Sequence, residues 1–197
     1  MIETQGGGTD ATEKICSLLR SNNLDLRVVV PRRAKSNGTV VALAGSEILM
    51  GTESELGPID PSISNIPVEF IINAPPGTIG PIDVQAAHAF RNQTRKLATE
   101  LLSTGMLKGK DPVFINQLVE KIATRDVFHS HGSVINAHEA ENLGLKVKLH
   151  SGGDPLWAKF ILLRAMYQFD CREQRYLKVF EASQVSLVVN FPQLPNP

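Results

Sequence analysis

An α/β fold built on a parallel sheet is what this sequence predicts. Short apolar runs that read as buried strands alternate with helical patterns over the first fifty residues: Met1–Gln5, then a helix, Leu26–Val30, then a helix, Glu47–Met50. A long amphipathic helix follows at Asp83–Gly105. No internal repeat and no low-complexity stretch interrupts this pattern.

Met1–Gln5 reads as the end of a strand. Thr9 or Asp10 caps a helix whose apolar positions, Ala11, Ile15, Leu18 and Leu19, recur at helical spacing. Asn37–Ala44 is almost wholly apolar and rich in small residues, which predicts a buried helix. Prolines at 58, 61, 67, 75, 76 and 81 mark a loop-rich middle. In the long helix Val84, Ala87, Phe90, Thr94, Leu97 and Leu101 make one stripe, and Gly105 ends it. Pro112 opens another helix through Ile115, Leu118, Val119 and Ile122. Asn136 and Glu139 form a capping box, and Gly144 ends that short helix. Leu145–Leu149 continues extended, Asp154–Phe169 is a helix, Val185–Phe191 a final strand and Pro192–Pro197 a tail. The division expected is a domain over 1–150 and a helix-and-strand extension over 151–197.

The chain has 197 residues, 42% of them apolar and 20% charged, with 20 basic and 20 acidic side chains. That balance predicts a globular chain, and no basic run argues for nucleic acid. Cys16 and Cys171 are spaced for neither a zinc site nor a disulfide framework, and Cys16 reads as a small core residue. No apolar stretch reaches the length of a membrane span and no secretory leader is visible, so a cytoplasmic location is the expectation. Neither a dinucleotide fingerprint nor a phosphate loop occurs, and no cofactor or metal is expected.

Four features carry candidate chemistry. Ser36 lies just past a strand at the mouth of the Asn37–Ala44 helix, beside free amides and the positive end of its dipole. There it is either a nucleophile or a helix cap. Gly6-Gly7-Gly8 is either a loop or a turn that aims an N–H at a ligand, the Gly7 amide then pairing with that of Asn37 as an oxyanion hole. Asp60, fixed between Pro58 and Pro61, is a held carboxylate or an ordinary turn residue. His129 and His131, on one face if that piece is extended, include one that faces Ser36, or both are packing residues. His88 reads as structural, His138 as a surface residue and His150 as a loop residue. Arg32, Arg33 and Lys35 are a basic cluster at the site, functional or solvated.

These pieces resemble the serine dehydrogenase proteinase family of the Clp-protease/crotonase-like superfamily. The residues that carry the likeness are Gly6-Gly7, Val28–Pro31 with Ala34–Thr39, Ile48-x-Met50-Gly51, Ser54–Pro61, His131-Gly132-x-x-Ile135, Glu139-Ala140 and Leu143–Leu145, spanning about residues 2–147. The resemblance implies a Clp/crotonase-like fold of repeated ββα units with flanking helices. It implies hydrolysis of peptide bonds, with Ser36 as nucleophile, Asp60 as orienting acid and His131 as base. Peptides or proteins are the implied substrate and a homo-oligomer the implied assembly. Relatives with a lysine base place it about forty residues after the serine, whereas no lysine lies between Lys35 and Lys96 here. Gln5 replaces a proline, and Val134 replaces another in the histidine motif. Relatives carry a strand and helix before the glycines, some with a membrane anchor, so a start inside the domain is expected. The rival functions are a crotonase-like acyl-thioester enzyme, for which no adenine-binding pattern is apparent, and an inactive scaffold.

Overall fold

Apolar β-branched residues make the strands and small residues let the helices approach them. The computed structural model describes residues 1–21 and 25–192; of the C-terminal tail expected from the sequence, 193–197 lie outside the described residues. Two compact units divide the chain, Met1–Ser151 and Gly152–Pro197.

In the first unit α1 (Thr9–Ser21) precedes β1 (Arg27–Val30), β2 (Arg33–Ala34) and α2 (Asn37–Leu43). Next come β3 (Glu47–Gly51) and β4 (Glu55–Leu56), the small hairpin of β5 (Ser62–Ile63) and β6 (Ile66–Pro67), and α3 (Val68–Ile72). The unit closes with α4 (Pro81–Thr104), α5 (Pro112–Ala123), α6 (Ala137–Leu143) and β7 (Val147–His150). The expected parallel sheet is present, in the order β1-β3-β7, with Val28 opposite Ile48 and Met50 opposite Leu149. β2 and β4 form a second parallel pair, Ala34 opposite Leu56. The N-terminal segment runs beside both layers: Ile2 N–H donates to the Val29 carbonyl and Thr4 N–H to that of Arg33. Val30, Leu43, Ile48, Met50, Leu56, Leu102, Ile115, Ile122 and Ile135 are the largest contributors to the core, all fully buried.

The α4 and α5 stripes bury as expected, and α6 carries its capping box and a left-handed Gly144. Gly144 lies flat on Phe114, and a Cβ there would sit 2.4 Å from the ring. In α1 the helix is right but the face is not. Thr9, Thr12 and Cys16 are buried, while Ala11, Ile15 and Leu18 face solvent and Leu19 is only half-buried. The cause is the close approach of α1 to α2, where the Cys16 thiol reaches the Val40 carbonyl and larger side chains would not fit. Burial raises the Cys16 thiol pKa to about 11, as suits an inert core residue. His150 is a second correction: it is the buried last residue of β7, not a loop residue.

The second unit is α7 (Pro155–Glu173) followed by the antiparallel hairpin of β8 (Tyr176–Ala182) and β9 (Val185–Asn190). Asp154 caps α7 by accepting from Leu156 and Trp157 N–H. β8 is an element the sequence reading lacks. Among the described residues no helix is long and apolar enough to cross a membrane.

Candidate active site

The register of the short strands decides what meets what. β2 and β4 run parallel, so the loops that follow them leave from the same edge. Ser36 lies two residues beyond Ala34, and Asp60 lies four beyond Leu56. Leu56 is also bridged antiparallel to Ile135, each N–H donating to the other's carbonyl at 2.9 and 3.0 Å. In an antiparallel pair, advancing four residues on one strand matches retreating four on the other. Asp60 and His131 stand in that relation about the Leu56–Ile135 bridge.

Asp60 is 2% exposed, so it is not a solvated turn residue. Its Oδ1 is 2.7 Å from His131 Nδ1, and its Oδ2 accepts from Arg125 Nε at 2.9 Å. With the carboxylate ionised, Nδ1 carries the imidazole proton and Nε2 is left as the free base. The hydrogen bond to Asp60 raises the His131 pKa above its ordinary value; burial and the Arg125 charge act against that rise. Arg125 also lies over the Phe70 ring, 5.3 Å from its centroid. His129 and His131 do not share an extended face, because the chain turns between them. His129 Nδ1 lies 2.9 Å from the Arg125 carbonyl, away from Asp60's hydrogen bonds.

Ser36 is not a helix cap. It precedes α2 with φ 53° and ψ −125°, and its side chain makes no capping hydrogen bond. Those angles belong to the first central position of a type II′ turn, where glycine is the usual residue. The turn closes through Gly38 N–H to the Lys35 carbonyl at 2.7 Å. Holding a serine there costs about 1–3 kcal/mol, and close packing enforces it. A Cβ on Gly6 would stand 2.9 Å from Ser36 Cβ, and one on Gly38 would strike Thr4. The Thr39 hydroxyl clamps both loops, donating to the Ala34 and Gly57 carbonyls.

Among the described residues, neither the Gly7 nor the Asn37 amide donates a hydrogen bond within the chain. The Asn37 side chain donates to the Gly7 carbonyl at 2.5 Å and to Thr9 Oγ1 at 3.2 Å, which ties the glycine turn to the serine turn. Ser36, Gly7 and Asn37 border a cavity of about 70 Å³ together with Ile59 and Pro61, the neighbours of Asp60. Two pairings are therefore in place, Asp60 with His131 and Ser36 with the two amides. Among the described contacts no hydrogen bond joins Ser36 to His131.

Two residues of the site escape sequence reasoning. Arg125 meets Asp60 across 65 positions, and nothing in its local sequence marks it. Lys35 looked like part of a solvated or functional basic cluster, but it is buried. Its ammonium donates to the Leu56 and Ser133 carbonyls at 3.2 and 3.0 Å and pairs with Glu55 at 3.4 Å. It is a tie between the serine strand and the histidine loop. Its burial beside the Leu56–Ile135 bridge was the missing signal. Among the described residues no cluster of His, Cys, Asp and Glu is placed to hold a metal ion.

Comparison with known proteins agrees with this arrangement. An uncharacterised protein of Methanocaldococcus jannaschii is 30% identical over 156 residues, covering 75% of this chain and 52% of the relative. A second uncharacterised protein of that organism is 36% identical over 74 residues, 38% of this chain and 25% of the relative. The chain thus spans about half the length of the first of these relatives, and a quarter of the second. A solved membrane-bound stomatin-specific protease, in a serine-to-alanine form, superposes with a TM-score of 0.47 at 20% identity, over 82% of this chain and 65% of that one. That overlap is too loose to transfer any property to this chain. The sequence profile of the ClpP-like SDH-type serine proteinases, by contrast, matches residues 1–154, the whole of the first unit. With its parallel sheet, its ββα order and a strained serine at the sheet edge, this chain belongs to the ClpP-like SDH-type serine proteinases.

Proposed function

We propose that the chain hydrolyses peptide bonds through Ser36, His131 and Asp60. Nε2 of His131 takes the proton as Ser36 Oγ attacks the carbonyl carbon of a peptide or protein substrate. Asp60 holds the tautomer and steadies the imidazolium, and the amides of Gly7 and Asn37 receive the oxyanion. The imidazolium then returns its proton to the leaving amine, and water frees the acyl group by the reverse sequence. Arg125 is a positioning residue that fixes the second oxygen of Asp60. The observation that carries this reading is the pairing of a buried carboxylate with His131 Nδ1 at 2.7 Å, next to a serine held at positive φ with its hydroxyl unspent on a cap. Catalytic hydrogen bonds commonly tighten only when substrate binds, so the Ser36–His131 contact is expected in the complex.

The strained turn also favours this reading over acyl-thioester chemistry, which uses the two amides but has no need of an exposed serine hydroxyl. A fluorophosphonate probe tests it. Labelling is expected at Ser36 in the wild-type chain and absent in Ser36→Ala. A folded chain that takes no label and turns over no peptide sinks the proposal. A homo-oligomer is the expected assembly, supported by the large apolar side chains that unit 152–197 exposes, Leu162, Met166 and Phe169 among them. Light scattering in solution checks it; a strictly monomeric chain at working concentration removes it.

A further inference from the structure

Thr94 is the odd threonine of this structure. Thr12, Thr104 and Thr124 donate their hydroxyls to the carbonyl four residues back, and Thr39 donates to Ala34 and Gly57. A threonine inside a helix ordinarily does this. Thr94 sits in the middle of α4 and is 2% exposed, yet its Oγ1 has no hydrogen-bond partner among the described residues. A buried hydroxyl left so is a cost that a partner would lift. Thr94 borders the same 70 Å³ cavity as Ser36, Gly7 and Asn37, with Phe90 and Ile59 as its apolar walls.

We propose that this cavity is the subsite for the side chain that precedes the scissile bond, that it takes a small polar side chain, serine above all, and that Thr94 is the residue that reads it. The inference rests on the peptidase reading and deepens it. A cavity that touches both the nucleophile and the two amides is filled by the residue whose carbonyl those groups hold. Its volume sets the size. A water-sized group occupies about 30 Å³ and a cavity that binds benzene has about 150 Å³, so 70 Å³ admits two heavy atoms and rejects leucine, phenylalanine and longer chains. Its lining sets the chemistry. No ionisable side chain borders it, which disfavours a charged guest. Thr94 Oγ1 offers one buried hydrogen bond, which serine can complete and alanine cannot.

The test uses the full chain and peptides that differ only in the residue before the scissile bond. The expected order of kcat/KM is serine about tenfold above alanine, and both at least about a hundredfold above leucine and phenylalanine. Thr94→Val keeps the shape and removes the hydroxyl, so the serine-to-alanine ratio falls to near one; Thr94→Ser keeps the ratio. A parallel arm measures the affinity of Ser36→Ala for product-like peptides ending in the same four residues, and the same order is expected. Equal or better use of leucine or phenylalanine overturns the proposal, as does a ratio unmoved by Thr94→Val. Hydrolysis without the order removes the subsite and leaves the peptidase standing. The order in binding without any hydrolysis does the reverse. No binding and no hydrolysis removes both. If Thr94→Val does not fold, the wild-type and Thr94→Ser orders decide the question alone.

Discussion

The Ser36 turn and the Asp60–His131–Arg125 cluster leave the same edge of the fold, yet they are held by unlike means. Backbone fit holds the first: a serine at φ 53°, Gly6 against its Cβ, Gly38 against Thr4, and an Asn37 side chain lashing the glycine turn in place. Charge holds the second: one buried carboxylate shared by an imidazole and a guanidinium at 2.7 and 2.9 Å. The difference teaches where each is fragile. The turn fails by steric change and is indifferent to pH or salt. The cluster tolerates small changes of shape but answers to protonation.

Substitutions in each half sharpen that contrast. Ser36→Ala is expected to cost the most, a fall of at least about 10⁴ in peptide turnover, with the melting temperature little changed; calorimetry beside a turnover assay reads both. Asp60→Asn is expected to lower kcat by about 10³–10⁴, because the amide no longer selects the Nδ1–H tautomer. It should also move the acidic limb of the pH profile down, since Asp60 is what raises the His131 pKa. The sign follows from that shift. Catalysis needs neutral His131, so wild-type kcat/KM falls as pH drops through a pKa above 6.5. The charged pair stabilises the fold most below about 6.5 and less as pH rises through the folded pKa, so His131→Ala should destabilise more at pH 6 than at pH 9. An unfolding series with the opposite trend breaks the comparison.

Gly6→Ala probes the other half. It meets Ser36 Cβ at 2.9 Å and the Lys35 carbonyl at 3.1 Å at a φ of 116°. A loss of about 1–3 kcal/mol, read by denaturant melts and equal at pH 6 and pH 9, is the expected result. Arg125→Gln should do less to turnover, about tenfold in kcat with KM little moved, while shifting the acidic limb upward because its charge opposes protonation of His131. Arg125→Lys should restore part of the shift. His129→Ala should have the smallest effect, about twofold or less, since His129 is engaged with the Arg125 carbonyl. If instead His129→Ala abolishes turnover and His131→Ala does not, the base is the other imidazole.

Legibility in the sequence follows the range of the forces. The α4 and α5 stripes and the α6 capping box were readable because each is local and periodic. Ser36, Asp60 and His131 were readable as motif blocks, and the Asp60–His131 contact agrees with the reading. Arg125 and the buried role of Lys35 were not, since both depend on loops 65 and 98 residues apart meeting in space. The α1 face was misread because hydrophobicity marks what prefers burial, whereas the tight α1–α2 contact selects for size. β8 was missed because its hairpin turns at Ser183-Gln184, without the Asn-Gly or Gly signals that announce a two-residue loop.

The conformation at position 36 has an evolutionary corollary. Glycine would relax that turn, so heat tolerance and turnover select for different residues at one codon. A lineage relieved of its catalytic duty should drift there to glycine while Gly6 and Gly38 persist, which gives a simple mark for telling working descendants from retired ones.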